Sequence, residues 1–435
     1  MSSAPRVAIV GGGWAGLAAA VEATARGNQV TLYEMAPTLG GRARRLPPGG
    51  IEGLALDNGQ HILIGAYTET LRLMRMVGVD PERVLQRLPL TLLDAQGRGL
   101  RLPPGAPLPA FVRGVLAARG WSLGERLALL RTAAGWLARG FRCDERFTVA
   151  QLAAALPAAV RQRLIEPLCV AALNTPAEQA SAQVFLRVLH DALFTGRGAS
   201  DLLLPRVDLG ALFPDAAAAW LAARGAQMHP GQRVDALVRD GDGWRLDGVR
   251  HDRVVLACSA AEAARLAEPH APAWAAAARA LRHEPIVTVL LRAPATAVPA
   301  LPAPMVALDP REDAPAQYVF DLGQLRDPAR EPGAAGVLAF VISGAARCVE
   351  RGAEATVRDV QAQAAQQIPA LRGREPELLR VVTEKRATFL CVPRLARPAA
   401  TVAMSLRAAG DYVAGDYPAT LEGAVRSGIA AAATP

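Results

Sequence analysis

Apolar positions in this chain fall into short continuous runs and longer helical stretches, in an order that alternates strand and helix. Residues 7–10 are an unbroken apolar run and 30–33 a largely apolar one interrupted by Thr31, both of a length that suits buried strands. An alanine-rich stretch of helical character lies between them. Residues 253–258 read as another buried strand and 404–409 as one more. In between, 209–224 reads as a helix stopped by Gly225, and 227–234 as a strand and turn. Residues 235–250 read as a hairpin about Asp240-Gly241-Asp242-Gly243. The stretch 81–201 is mainly helical with proline-rich connections, whereas 268–395 holds strands at 286–292, 317–321 and 337–343. A last helix is predicted over 417–428, with Pro418 in its first turn. This alternation predicts a parallel sheet, and the spacing of its parts predicts a second body threaded through the first. The expected boundaries are 1–80, 202–267 and 396–435 for the parallel-sheet part, and 81–201 with 268–395 for the other.

Candidate chemistry begins where the first run ends. Gly11, Gly13 and Gly16 follow it with the spacing G-x-G-x-x-G. Gly11 allows a tight turn, Gly13 lets a diphosphate approach the backbone, and Gly16 lets the new helix pack on the sheet. Trp14 and Ala15 open that helix, whose free N–H groups and partial positive charge suit a phosphate. The second run ends in Glu34, where a carboxylate can accept hydrogen bonds from ribose hydroxyls, favouring FAD or NAD over NADP. Gly40-Gly41-Arg42 follows. Gly41 permits close approach, and Arg42 has a planar fork for a phosphate. This extension points to FAD. At the far end Gly410-Asp411 closes a strand, and Ala419, Thr420 and Leu421 lead into a helix. The acid can hold the ribityl or phosphate region of FAD, and the helix N-terminus can stabilise negative charge on a reduced ring. Asp416, in a second Gly-Asp pair, is the alternative to Asp411 and reads as a turn residue.

These residues resemble the FAD-dependent amine oxidase and phytoene desaturase superfamily. Three stretches resemble its squalene-associated branch, the hydroxysqualene dehydroxylases: the fingerprint through Gly40-Gly41-Arg42, the block 56–71 beginning Leu56-Asp57-Asn58-Gly59-Gln60-His61, and Ala409-Gly410-Asp411 with residues 418–428. Residues 384–389 fit as well. One dipeptide departs: the branch tends to carry Trp-Thr where this chain has Tyr412-Val413. The resemblance implies an α/β fold, with a Rossmann-like FAD-binding domain of the amine oxidase and phytoene desaturase type interleaved with an α+β substrate domain. It implies a backbone contact to adenine at Val234. It also implies a reaction: hydride from reduced flavin removes the hydroxyl of hydroxysqualene, giving squalene in hopanoid and triterpenoid biosynthesis. Such a substrate needs a long apolar tunnel. An acid must assist the departing oxygen. His61 is the candidate proton donor. Asp57 is either an acid whose pKa burial raises or a group that orients His61. The same block reads equally as a flavin-binding turn through Gly59 and Gln60. Tyr67 and Glu69 are further candidates.

Length and composition bound the partners. At 435 residues, 51% of them hydrophobic, the chain can build two domains with substantial cores. Five scattered cysteines and no metal-ligand spacing predict reduced thiols and no metal site. No run is long and apolar enough to cross a membrane, and the chain enters its first strand almost at once, so a cytoplasmic protein without signal peptide is expected. The net charge of +8 is carried by arginine, with Lys385 the single lysine. No aromatic-basic pattern points to nucleic acid. Residues 108–142 interleave apolar side chains with Arg113, Arg119, Arg126, Arg131, Arg139 and Arg142, and include Trp121 and Trp136. Helical spacing would part apolar from basic residues. The segment then either lies in the headgroup layer, at the inner face of the plasma membrane, or buries its stripe in the substrate domain. Three other functions stay open: a carotenoid-type desaturase that takes hydride from an isoprenoid, an amine oxidase using Lys385, and a non-catalytic flavin-bound membrane adaptor. No second fingerprint marks an NADPH site, so the electron donor is NADPH met directly or a separate reductase.

Overall fold

The computed structural model describes residues 4–49 and 51–433. Its centre is a six-stranded sheet. β1 (Arg6–Val10) lies between β2 (Gln29–Glu34) and the strand Arg253–Leu256, parallel to both. Gln227–Pro230 extends the sheet beyond β2, and Leu406–Ala408 beyond Arg253–Leu256, again in parallel. Thr401–Ala403 closes the latter edge antiparallel. All six strands fall within 1–80, 202–267 and 396–435. The apolar character of these runs follows from this position. Val7 and Ile9 pack toward α1 (Trp14–Ala25), while Ala8, Val10 and Tyr33 pack with Leu237, Trp244 and Leu246 on the opposite face. Those last residues belong to a three-stranded antiparallel sheet, Leu237–Asp240, Gly243–Leu246 and Val249–His251.

Alongside α1 runs the C-terminal helix Leu421–Ala433. A Cβ on Gly428 would stand 2.1 Å from the Ala15 carbonyl oxygen, so a glycine is what lets the two helices meet. The helix predicted over 417–428 starts later than expected. Thr420 Oγ1 accepts the Gly423 N–H at 3.0 Å and caps it, leaving Pro418 in the preceding turn. The helix predicted over 209–224 is two helices, Leu209–Leu212 and Pro214–Ala222, because Pro214 has no N–H to continue the first and opens the second. The strand predicted over 404–409 shortens to Leu406–Ala408 after a turn at Met404-Ser405.

The second body is built on a five-stranded antiparallel sheet, in the order Met305–Ala307, Tyr318–Asp321, Val337–Ile342, His283–Arg292, Glu377–Phe389. One face packs on the helix Ala353–Gln367. The other, through Leu290, Tyr318, Phe320 and Val341, shares a hydrophobic cluster with the first body. A small antiparallel sheet joins the two: Leu202–Pro205 lies between Leu63–Ile64 and Leu85–Leu88. A second joint is Glu422, fully buried in the C-terminal helix. Its carboxylate accepts the N–H groups of Glu69 (3.0 Å) and Thr70 (2.9 Å) and so caps α2 (Thr68–Met76) from the far end of the chain. Arg426 balances its charge at 2.7 Å.

Residues 108–142 form a hairpin of two helices, Pro107–Ala117 and Leu123–Ala138. Trp121 and Trp136 are buried in the core, so of the two readings of this segment the tryptophans follow the one that turns the apolar stripe inward. Among the described residues no helix is long and apolar enough to cross a membrane.

Burial also sets an acid limit. His251 is 1% exposed; its Nε2 meets the Tyr33 hydroxyl at 3.4 Å and its Nδ1 has no partner. Burial, aided by nearby Arg6, pushes its pKa down to about 4. The unfolded chain therefore binds the extra proton first, and stability falls as pH drops from the ordinary histidine value toward 4. The full loss is on the order of 3 kcal/mol. Melting curves of His251→Phe and the wild type, compared from about pH 7 to about pH 5, should show a smaller acid-induced drop in the variant. Parallel drops in both would refute this.

Candidate functional site

The glycine turn separates into packing and approach positions. Gly11 has φ +114°, and a Cβ there would stand 2.6 Å from the Ala257 backbone. A Cβ on Gly16 would stand 1.8 Å from the Gly11 carbonyl oxygen. At Gly13 a Cβ would meet only the Gly41 backbone, no closer than an ordinary 3.6 Å. Protein packing thus fixes Gly11 and Gly16 but leaves Gly13 free, as a position reserved for close approach of a ligand requires. No side chain caps α1, and its first turn carries no acid. The Gly40 N–H donates to the Gly12 carbonyl at 2.9 Å, which sets Gly40-Gly41 alongside the first turn. The Trp14 side chain is a strut: its Nε1–H donates to Ala43 O at 2.9 Å and its ring lies 5.0 Å from Phe213. Only the backbone N–H groups of Trp14 and Ala15 are left for a phosphate. Glu34 accepts the Gly12 N–H at 2.6 Å and the Ala36 N–H at 2.7 Å, so it braces both turns while keeping lone pairs for a hydroxyl donor.

The far end of the chain arrives at the same place. Asp411, nearly buried, pairs with Arg42, whose Nη1 also donates to Ala387 O at 2.7 Å. Arg42 is thus already held by a carboxylate, and the two residues assigned from opposite ends of the sequence hold each other. Asn58 Nδ2 bonds Arg42 O and Glu384, each at 2.9 Å, tying in the strand Glu377–Phe389. The Gly410 N–H donates to Ser427 Oγ at 3.0 Å. A Cβ on Gly410 would strike the Tyr412 ring at 2.5 Å, and the buried Tyr412 hydroxyl has no partner. Ala419 takes φ +59°, unusual for a side chain with a Cβ, and donates its N–H to Asp411 O at 3.3 Å. Thr420 caps the helix that Leu421 begins. Val234 is buried, and its carbonyl accepts from Arg265 at 2.7 Å. An uncapped helix start, an open Gly13 and an orphaned hydroxyl beside Arg42 and Asp411 together fit a dinucleotide with a charged diphosphate.

The middle block is placed between these ends and the second body. Gly59, at φ +89°, turns the chain beside Thr288, with half-buried Gln60 next to it. His61 Nδ1 lies 3.2 Å from Gly59 O, so Nδ1 carries the proton and Nε2 is bare in the neutral ring. Burial lowers the His61 pKa, and Arg42 nearby lowers it further. Asp57 accepts the Leu209 N–H at 2.9 Å and pairs with buried Arg326 at 2.9 Å. Burial raises its carboxyl to about 7 against the opposing pull of Arg326. With both oxygens engaged there, Asp57 does not orient His61, which corrects that expectation. Glu69 pairs with Arg72 at 2.7 Å, and burial raises the Tyr67 hydroxyl. Lys385 is exposed and forms no ion pair among the described residues; Glu384 takes Asn58 and the Arg386 N–H.

Two polar groups were not legible from the sequence. Thr288, 3% exposed, has a hydroxyl without a partner beside Gly59. Its cross-strand neighbour Val341 also pairs with Tyr318, so all three line the face turned to the first body. Asp191, on the helix Ala182–Leu193, accepts from Arg187 at 2.7 Å and His190 Nδ1 at 2.8 Å. It also faces Tyr417, whose pKa burial and then Asp191 raise. No motif marked either group, because each becomes distinctive only through partners remote in the chain.

A family model described as flavin containing amine oxidoreductase matches residues 14–434. A hydroxysqualene dehydroxylase of Rhodopseudomonas palustris is 28% identical over 98% of this chain and 97% of its own. Another from Zymomonas mobilis is 27% identical with the same coverage. A zeta-carotene desaturase of Zea mays is 35% identical, but over 25% of this chain and 20% of its own. Among solved structures, an oxidoreductase from Methanosarcina mazei superposes with a TM-score of 0.72 at 16% identity, covering 98% of this chain and 99% of that one.

Proposed function

The chain belongs to the flavin containing amine oxidoreductase family, and from that premise we propose an FAD-dependent enzyme that converts hydroxysqualene to squalene. It is a flavin enzyme of the oxidoreductase class, with the α/β architecture of that family. The observation carrying the finer reading is coverage: the dehydroxylases align along nearly the whole chain, the carotene desaturase along a quarter of it. An exposed Lys385 argues against an amine oxidase that needs a lysine at the ring.

The proposed reaction breaks the C–O bond, adds hydride to that carbon, and sends the oxygen away with a proton as water. When bound, FAD would supply the hydride. Gly13, Gly41 and the start of α1 would hold its diphosphate, Glu34 its ribose, and the start of the C-terminal helix its ring. The apolar face carrying Leu290, Phe320 and Val341 would exclude water from the carbon as it loses its oxygen. Thr288 is a hydroxyl able to meet the one oxygen of a hydrocarbon substrate. His61 is poorly suited to give a proton, since its charged form is disfavoured and its bare Nε2 accepts rather than donates. His61→Ala should therefore keep single-turnover reoxidation within about tenfold of wild type, where loss of a general acid costs roughly a hundredfold or more. Electrons are proposed to come from a separate donor, because one glycine fingerprint serves the one parallel sheet among the described residues.

Anaerobic mixing of photoreduced protein with hydroxysqualene tests the whole reading. The yellow colour should return, with squalene formed in equal amount. Reduction of the oxidised protein by squalene or phytoene instead, with hydroxysqualene inert, would replace this reading with the desaturase. Flavin that responds to neither would leave a binding role.

A further inference from the structure

The helical hairpin carries an apolar ridge on its outer side as well as a stripe turned inward. Phe111, Val115, Leu129 and Trp136 point into the core. Leu108 and Leu116 on the first helix, with Leu123, Leu127 and Leu137 on the second, are 43–64% exposed. On the second helix the ridge recurs at 123, 127, 134 and 137, the spacing of one helix face. Large exposed apolar side chains elsewhere in the described residues are scattered singly, whereas five gather on this one hairpin. Arg113, Arg119, Arg131, Arg139 and Arg142 flank the ridge, all exposed, and none forms an ion pair among the described residues. The single acid of the hairpin, Glu125, is held in a capping box by Ser122.

We propose that this ridge docks on an anionic phospholipid bilayer, with the leucines at the acyl boundary and the arginines on the phosphates. At 11 and 16 residues the helices are too short to cross a membrane and suited to lying in its plane. Charge selects the occupant. A second copy laid face to face would oppose arginine with arginine, whereas an anionic surface neutralises all of them. Buried Trp121 and Trp136 leave the binding to leucine and arginine, so contact is shallow and salt-sensitive. This surface does not depend on the reaction proposed above.

Flotation of the flavin-loaded full chain tests it, using vesicles of phosphatidylcholine alone and of phosphatidylcholine mixed with phosphatidylglycerol. The wild type should float with the mixed vesicles, stay behind with the neutral ones, and be released by high salt. Leu123→Glu with Leu127→Glu should weaken binding by at least about tenfold, and Arg131→Gln with Arg139→Gln should abolish the preference for phosphatidylglycerol. Unchanged melting and flavin absorbance in both variants establish that they are folded. Wild-type protein left behind by mixed vesicles, or equal flotation of the leucine variant, would overturn the proposal. So would a vesicle-free dimer that the leucine variant splits, which would make the ridge a self-association face. Turnover of detergent-dispersed hydroxysqualene reports on the reaction separately.

Discussion

Gly16→Ala is expected to give colourless protein with a sharply lowered melting temperature. The added methyl would stand 1.8 Å from the Gly11 carbonyl oxygen and 3.2 Å from the Ala257 side chain. Neither can yield without moving α1 off β1, because the first is backbone and the second sits beside the central strand Arg253–Leu256. Overpacking of this kind costs on the order of 3 kcal/mol, and a shift of that size in flavin binding is on the order of a hundredfold in affinity. Gly13→Ala is the control that separates packing from ligand approach. Its methyl meets the protein at an ordinary 3.6 Å, so the apoprotein should melt near the wild-type temperature while flavin affinity falls. A yellow Gly16→Ala protein with normal melting would remove the packing argument. A Gly13→Ala protein with normal flavin affinity would remove the diphosphate from the first turn.

Asp57→Ala should destabilise the chain by about 3–5 kcal/mol, the usual result of leaving one member of a buried ion pair without the other. Arg326 is 5% exposed and its Nε and Nη1 have no hydrogen-bond partner, so without Asp57 its charge is left with Glu331 alone, 3.8 Å from Nη1. Replacing both residues, Asp57→Val with Arg326→Met, should recover most of that loss, since two apolar groups carry no stranded charge. Chemical denaturation of the three proteins measures this directly. Equal stability of the single and double variants would mean that Asp57 acts through the Leu209 N–H alone.

The glycine-turn end was legible because its requirements are local. A turn off a strand, a helix start and an acid at the next strand end all fall within the first 34 residues. The roles of individual side chains were less legible. Trp14 and Asp57 lie inside recognised motifs, yet one is a strut against Phe213 and the other half of an ion pair with Arg326. Both partners come from segments remote in the chain. Which leucines of the hairpin meet solvent was undecided for a related reason: helical spacing marks apolar positions but does not tell which of them the rest of the protein covers.

Sequence alone determined that this chain builds a parallel sheet with a glycine turn between its first strand and first helix, because glycine spacing and apolar runs act through bonds and neighbours a few residues apart. Tertiary structure alone decided which charges pair, which histidine nitrogen is bare, which hydroxyls lack partners and which leucines meet solvent. Those properties depend on burial and on distances between segments as far apart as Arg42 and Asp411, and no local pattern encodes them.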